Sequence, residues 1–326
     1  MFLKQRSIST GAELRGVWPA LFTPLLHDDP RRLRNSIDYA KAKLIIDDLI
    51  AEGVNGIVPI GTTGQSPTVS PEQHVDFIRF AVEYIDGRVP VIAGAGSNST
   101  RESVDMIQSI LTSFGDMAVL CVTGYYNNPP QEGLAAHYET LSRETGAKIV
   151  MYNVPARTAS YLEPETLLRL ADDRNIIGLK QAVDFRNLGK HREDTIAVIE
   201  KTKGLDFGIV SGEDDGVFAM MELGGNGVIT ASGTIAEASR LFLKLVAAHQ
   251  AGRSDEAKGL QEETMAFVKL VFARKNPIPL GTFFNSPLFL PLVSVKETKG
   301  GAELEAEILK FIREKTPLLK KYHPGM

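Results

Sequence analysis

The chain has 326 residues, 43% of them hydrophobic and 23% charged, enough apolar mass to fill a sizeable core and too much to leave the chain disordered. Its net charge of −4, without any run of Lys and Arg interleaved with aromatics, argues against nucleic acid and other polyanionic partners. No stretch approaches 18 continuous apolar residues, and charges within Met1–Arg6 interrupt the apolar run that a secretory leader needs, so the expected place is the cytoplasm, with no membrane contact.

In chain order, residues 1–15 read as an N-terminal extension, 16–250 as the catalytic unit and 251–326 as a C-terminal helical extension. Eight β-rich runs fall within the middle part: Val17–Thr23, Gly56–Ile60, Val89–Ala93, Met117–Thr123, Lys148–Val154, Ile176–Gln181, Leu205–Val210 and Gly227–Ala231. Between them apolar residues recur at three- and four-residue spacing, as in Val75, Ile78, Val82 and Ile85, then Val104, Ile107, Leu111 and Phe114, then Leu134, Tyr138 and Leu141, which predicts amphipathic helices. Ser70-Pro71-Glu72-Gln73 and Ser99-Thr100-Arg101-Glu102 each read as a capping box at a helix start. Helices are also expected at Ala236–His249, Asp255–Phe272 and Ala302–Lys315, around a Pro- and Phe-rich stretch from Asn276 to Pro291 that carries no clear period.

Strands this uniformly apolar, alternating strictly with helices, call for a parallel sheet covered by helices, and eight repeats point to closure into a (β/α)₈ TIM barrel with additional C-terminal helices. An open doubly wound sheet is the alternative. Neither nucleotide signature accompanies it: Gly94-Ala95-Gly96-Ser97-Asn98-Ser99 lacks the third glycine, and no GxxxxGK[ST] occurs. The single cysteine, Cys121, excludes an intrachain disulfide and fits a reducing compartment. The six histidines show neither HxH nor HExxH spacing, so no metal site is read, and no cofactor is implied.

Active sites of such barrels lie at the C-terminal ends of the strands. A lysine closing the apolar run Ile176-Ile177-Gly178-Leu179-Lys180 either snorkels outward between helices or points into the barrel mouth. Side chains alternate along a strand, so Gly178 and Lys180 share one face while Ile177, Leu179 and Gln181 share the other. The bulky face suits the helix layer, which leaves Lys180 for the interior. At an ordinary pKa near ~10.4 only about one amine in 2,500 is free at pH 7, whereas a value lower by roughly 3 would free about a third. Such a lysine is a competent nucleophile toward a ketone.

Other strand ends add polar groups. Gly61-Thr62-Thr63-Gly64 forms a tight turn on one reading and a keto-acid clamp on the other, and facing a buried lysine the clamp is the better account. Tyr152 either packs against the wall or passes protons. Arg157 is either a surface cation or a bidentate carboxylate ligand at the rim.

The motifs Gly61-Thr62-Thr63-Gly64, Tyr125-Tyr126-Asn127, Tyr152-Asn153-Val154-Pro155 with Arg157-Thr158, Gly178-Leu179-Lys180 and Gly224-Gly225-Asn226-Gly227-Val228-Ile229, taken in order over Gly16–Pro279, resemble the dihydrodipicolinate synthases of the N-acetylneuraminate lyase superfamily. The resemblance implies a class I aldolase in which pyruvate condenses with Lys180 and, as an enamine, attacks L-aspartate 4-semialdehyde in lysine and diaminopimelate biosynthesis. Carried over by motif, Thr63, Tyr126 and Tyr152 form the proton relay, with Tyr126 supplied by a neighbouring subunit. Thr62 binds the pyruvate carboxylate, Arg157 the semialdehyde carboxylate, and Gly212 and the Ile229 carbonyl line the site. A tetramer built as a dimer of dimers is implied, as is feedback inhibition by L-lysine at Ser66, His74, Asn98, Glu102 and Tyr125.

Gln65 and Gln181 stand where the family usually has Glu, Gly124 where Pro often precedes the tyrosines, and Pro71 where some relatives have a second histidine. The alternation above predicts that Gln181 faces away from the pocket. N-acetylneuraminate lyases and keto-deoxy sugar acid aldolases share the lysine and tyrosine and form the runner-up, set lower because Arg157 and the second threonine match the synthases. A catalytically silent ligand-binding barrel is set lower still, because lysine, tyrosines and threonines are all retained.

Overall fold

The computed structural model describes residues 6–29, 31 and 34–325; part of the N-terminal hexapeptide read above lies outside them. The chain runs β1 (Gly16–Pro19), α1 (Tyr39–Glu52), α2 (Pro71–Ile85), β2 (Ile92–Gly94), α3 (Thr100–Phe114), β3 (Ala118–Val122), α4 (Gln131–Thr145), β4 (Lys148–Asn153), α5 (Pro155–Thr158), α6 (Pro164–Ala171), β5 (Ile176–Gln181), α7 (Lys190–Lys201), β6 (Gly208–Ser211), α8 (Val217–Glu222), β7 (Gly227–Thr230), α9 (Ala236–Gln250), α10 (Ser254–Val271), α11 (Ile278–Phe283) and α12 (Gly301–Lys315). No described helix is long and apolar enough to cross a membrane.

All seven strands pair in parallel, in the order β1-β7-β6-β5-β4-β3-β2. The eighth expected strand, Gly56–Ile60, is not a continuous one. It closes the barrel through two parallel bridges, Ala20 with Val58 and Ile57 with Val91. The ladder breaks there because Pro59 has no N–H to donate and Ile60 turns into the left-handed region at φ 50°. Gly94 makes room for that turn, since a Cβ on it would lie 2.1 Å from the Ile60 carbonyl oxygen.

Two apolar layers follow from strand alternation. Ile45, Phe77, Ile107, Tyr138, Leu179 and Phe242 belong to the layer between sheet and helices. Leu14, Trp18, Val58, Leu120, Val150, Tyr152, Val210 and Ile229 fill the barrel itself. One expectation fails here: Ile177 belongs to the inner cluster, not to the face of Leu179. The register between β4 and β5 shifts at Ile149/Val150, so β5 spends an extra residue as a bulge and Ile177 turns inward. Beyond the bulge the alternation holds, with Leu179 outward and Gln181 bonded to Thr195 of α7.

At the start of α2 the Ser70 hydroxyl accepts from Gln73 N at 3.2 Å and the Gln73 amide oxygen accepts from Ser70 N, so that capping box forms as expected. At α3 only half of it forms. Ser99 accepts from Glu102 N, but the Glu102 carboxylate accepts instead from the Ser97 hydroxyl at 2.6 Å. The unassigned Pro- and Phe-rich stretch supplies α11, after which Phe284 stacks on Phe22 with ring centroids 5.3 Å apart, in the layer between sheet and helices. Cys121 is wholly buried in β3, and burial pushes its thiol up to about 12.

Candidate active site

Lys180 stands beside Tyr152 of β4 on one side and Val210 of β6 on the other, both inner-layer residues. It therefore points into the barrel mouth, where it is 6% exposed and its Nζ lies 4.3 Å from the centroid of the Tyr152 ring. Gly212 gives it passage: a Cβ there would meet Lys180 Cε at 3.0 Å. Burial lowers the amine to about 8, against the opposing pull of Asp214 and Glu213. At that value about one amine in ten is free at pH 7, far more than in water.

Burial pushes the Tyr152 phenol up to about 12, opposed by the charge of Arg157 and by a hydrogen bond with the Thr62 side chain. It is a neutral phenol that can give or take a proton through a hydroxyl partner. That partner distinguishes the two threonines. Thr62 is the threonine hydrogen-bonded to Tyr152, while the buried Thr63 hydroxyl accepts from Asn276 Nδ2 at 3.0 Å. Adjacent in one turn, the two threonines thus have different neighbours, the Tyr152 phenol for Thr62 and the Asn276 amide for Thr63.

A cavity of about 400 Å³ holds these groups together: Thr62, Thr63, Tyr152, Arg157, Lys180 and Gly212 line it. Arg157 reaches it from the short α5, with one guanidinium nitrogen donating to the Asn276 carbonyl at 3.2 Å. Ile229 does not line it; it packs in the barrel's apolar layer, and Ala231 forms the wall at that strand end. Tyr126 is also absent from it, being 93% exposed at φ 76°.

Three contributions escaped the sequence reading. Glu213 lines the cavity, and burial raises its carboxyl above the usual range. Asp214 is buried and accepts from Ala231 N at 3.1 Å and Ser232 N at 2.6 Å, which ties the end of β6 to the end of β7. The signal was present: Gly212-Glu213-Asp214-Asp215 sets three carboxylates directly after an apolar run, at a strand end. The linker between α10 and α11, including Asn276, closes the cavity from the C-terminal extension. Its sequence holds no strand end to mark it.

A second, larger groove of about 800 Å³ adjoins the first, sharing Thr62 and Arg157. Four of the five residues expected at an effector site, Ser66, His74, Glu102 and Tyr125, line it. Asn98 stands behind them, its amide oxygen accepting from Tyr125 N at 2.9 Å. His74 is neutral, since burial lowers it to about 4, and its Nε2 bonds the Gly94 carbonyl at 2.7 Å.

Residues 13–287 match the model of the dihydrodipicolinate synthetase family. The chain belongs to that family. A 4-hydroxy-tetrahydrodipicolinate synthase of Methanococcus maripaludis is 38% identical over 292 residues, covering 87% of this chain and 94% of the relative. The enzyme of the same name from Methylibium petroleiphilum is 40% identical over 261 residues, covering 80% and 84%. Among solved structures, the dihydrodipicolinate synthase of Thermotoga maritima superposes with a TM-score of 0.81 at 32% identity, over 93% of this chain and 99% of that one. That solved structure and this chain thus share one fold over nearly their whole lengths.

Proposed function

We propose that the chain is a 4-hydroxy-tetrahydrodipicolinate synthase, which joins pyruvate to L-aspartate 4-semialdehyde. The observation that carries this reading is a desolvated amine, Lys180, sharing one small cavity with a phenol, a hydroxyl clamp and a guanidinium. The free amine of Lys180 adds to the pyruvate ketone, and the carbinolamine loses water to give an iminium. Loss of a C3 proton yields the enamine, whose carbon attacks the aldehyde of the second substrate while the aldehyde oxygen takes up a proton. The product's own amine then adds to the iminium carbon, closes the ring and releases Lys180.

Tyr152 and Thr62 carry protons in these steps, extended by Tyr126 of a second copy of the chain. Thr63 holds the pyruvate carboxylate, and Arg157 holds that of the semialdehyde. An arginine on the wall favours the acidic aldehyde over the neutral sugar that a neuraminate-type lyase would take. The working assembly is a dimer of dimers, and the cytoplasm suits its lone buried thiol.

Mixing the protein with pyruvate and L-aspartate 4-semialdehyde should yield the cyclic product. Borohydride with pyruvate should add a stable mass to Lys180 alone, and Lys180→Ala should abolish turnover. Modification elsewhere, or turnover in Lys180→Ala, would overturn the mechanism.

The larger groove is proposed to take L-lysine, its amines drawn to Glu102 and its occupancy felt through Thr62 and Arg157, which both cavities share. Lysine at millimolar concentration should slow the wild type and spare Glu102→Ala. Equal inhibition of both proteins, or of neither, removes the effector site and leaves the catalytic reading standing.

A further inference from the structure

Asn276 touches both groups assigned above to carboxylate recognition. It sits buried in the linker between α10 and α11 and lines the Lys180 cavity. Its side-chain Nδ2 donates to Thr63 Oγ1 at 3.0 Å, and its backbone carbonyl accepts from Arg157 Nη2 at 3.2 Å. These two contacts reach across 213 and 119 positions of sequence, so the linker is bonded both to the turn that holds Thr63 and to α5, which holds Arg157.

A hydroxyl has one proton to give and lone pairs to accept with. Because the Asn276 amide donates into Thr63, the proton of Thr63 is not spent on Asn276 and is left for an acceptor in the cavity. A carboxylate, which only accepts, is the matching ligand. Asn276 Oδ1 has no hydrogen-bond partner among the described residues, although it is buried. An asparagine kept only to brace a loop would be expected to satisfy both ends of its amide. Here the donor end alone is engaged, and it is engaged on the clamp.

We propose that Asn276 is a positioning residue that makes the site select keto acids over neutral ketones: its amide orients the Thr63 hydroxyl to donate to the first substrate's carboxylate, while its carbonyl holds Arg157 at the wall for the second. The inference rests on the reading of Lys180 as the Schiff-base amine and of Thr63 as the carboxylate contact.

Asn276→Asp tests it, because the substitution keeps the shape, replaces the donor with an acceptor and turns the Thr63 proton away from the cavity. With borohydride, the Lys180 adduct from limiting pyruvate should fall about 10-fold or more, as expected for losing a charge-assisted hydrogen bond, while the adduct from acetone stays at the wild-type level. In turnover, the KM for pyruvate should rise by a similar factor with kcat changed by less than about threefold, and the defect relative to wild type should shrink at lower pH, where a protonated Asp can donate again.

A merely bracing role would weaken both adducts alike, and that result overturns the proposal. So does a variant that keeps the wild-type preference for pyruvate over acetone. If the wild type itself forms no Lys180 adduct with pyruvate, the underlying reading fails instead, so the two failures are distinct. Should Asn276→Asp not fold, Asn276→Ala and Thr63→Val are compared singly and together. A double variant no worse toward pyruvate than Thr63→Val supports action through Thr63, and additive losses refute it.

Discussion

Burying the Lys180 amine has a cost that can be measured apart from turnover. Its folded value of about 8 lies below the ordinary 10.5, so the unfolded chain binds that proton more tightly than the folded one. The penalty is therefore complete below about pH 8, is on the order of 3 kcal/mol, and fades as pH rises toward 10.5. Lys180→Met should accordingly be more stable than the wild type at pH 7 by urea midpoint, with the gap closing near pH 10. Equal midpoints at both values would show that the ammonium is solvated after all. The rate of adduct formation should follow the same proton, rising as pH passes about 8 and then levelling. Arg157→Ala should impair condensation with the semialdehyde far more than adduct formation with pyruvate, by roughly 10- to 100-fold against less than about threefold, because its proposed contact is to the second substrate. The position of Lys180 was readable from alternation along one strand, whereas the surroundings of Thr62 and Thr63 were not. Two neighbouring threonines in one turn look alike in sequence, and only their partners, Tyr152 and Asn276, separate them.

Between elements, the two glutamines that depart from the family pattern do different work. The Gln65 amide donates to the Thr23 carbonyl at 3.0 Å and accepts from Phe289 N at 3.1 Å, so it fastens the turn after the second strand segment both to the segment that follows β1 and to the one that follows α11. A carboxylate could keep the second bond but would face the Thr23 oxygen with nothing to give. Gln181 accepts from Asn153 Nδ2 at 3.0 Å and donates to Thr195 Oγ1 at 3.2 Å, and that hydroxyl, which gives its proton to the His191 carbonyl at 2.7 Å, can turn it to a carboxylate by giving up that one bond. Gln65→Glu should therefore destabilise by about 1–3 kcal/mol, more than Gln181→Glu, with the loss easing at low pH as the new acid protonates. Chemical denaturation of both variants at two pH values checks the order. The same comparison shows which elements were legible. Ile176–Gln181 and the three late helices carry strong apolar periods and lie where expected, whereas Gly56–Ile60 reads as a strand but is broken by Pro59 and by the turn at Ile60. The bulge that turns Ile177 inward depends on register with β4, a relation between strands that no single run of residues encodes.

For the molecule as a whole, the proposed relay role of the exposed Tyr126 ties activity to a second copy of the chain. At 93% exposure and outside its own chain's cavity, it can serve catalysis only by reaching another copy. Mixing inactive Tyr126→Phe with inactive Lys180→Ala under subunit exchange should restore part of the activity, because a mixed dimer then holds one complete site. Recovery no greater than either parent would show that Tyr126 plays no part across subunits. Cys121 offers a way to follow each barrel as it opens. A sole sulfhydryl sealed in the central sheet and held protonated to about 12 is inert to alkylating reagents while the barrel stays shut. The chain thus contains its own reporter of opening: under a pulse of iodoacetamide, only molecules whose sheet has parted gain mass, and the labelled fraction over time reads out the lifetime of the closed barrel.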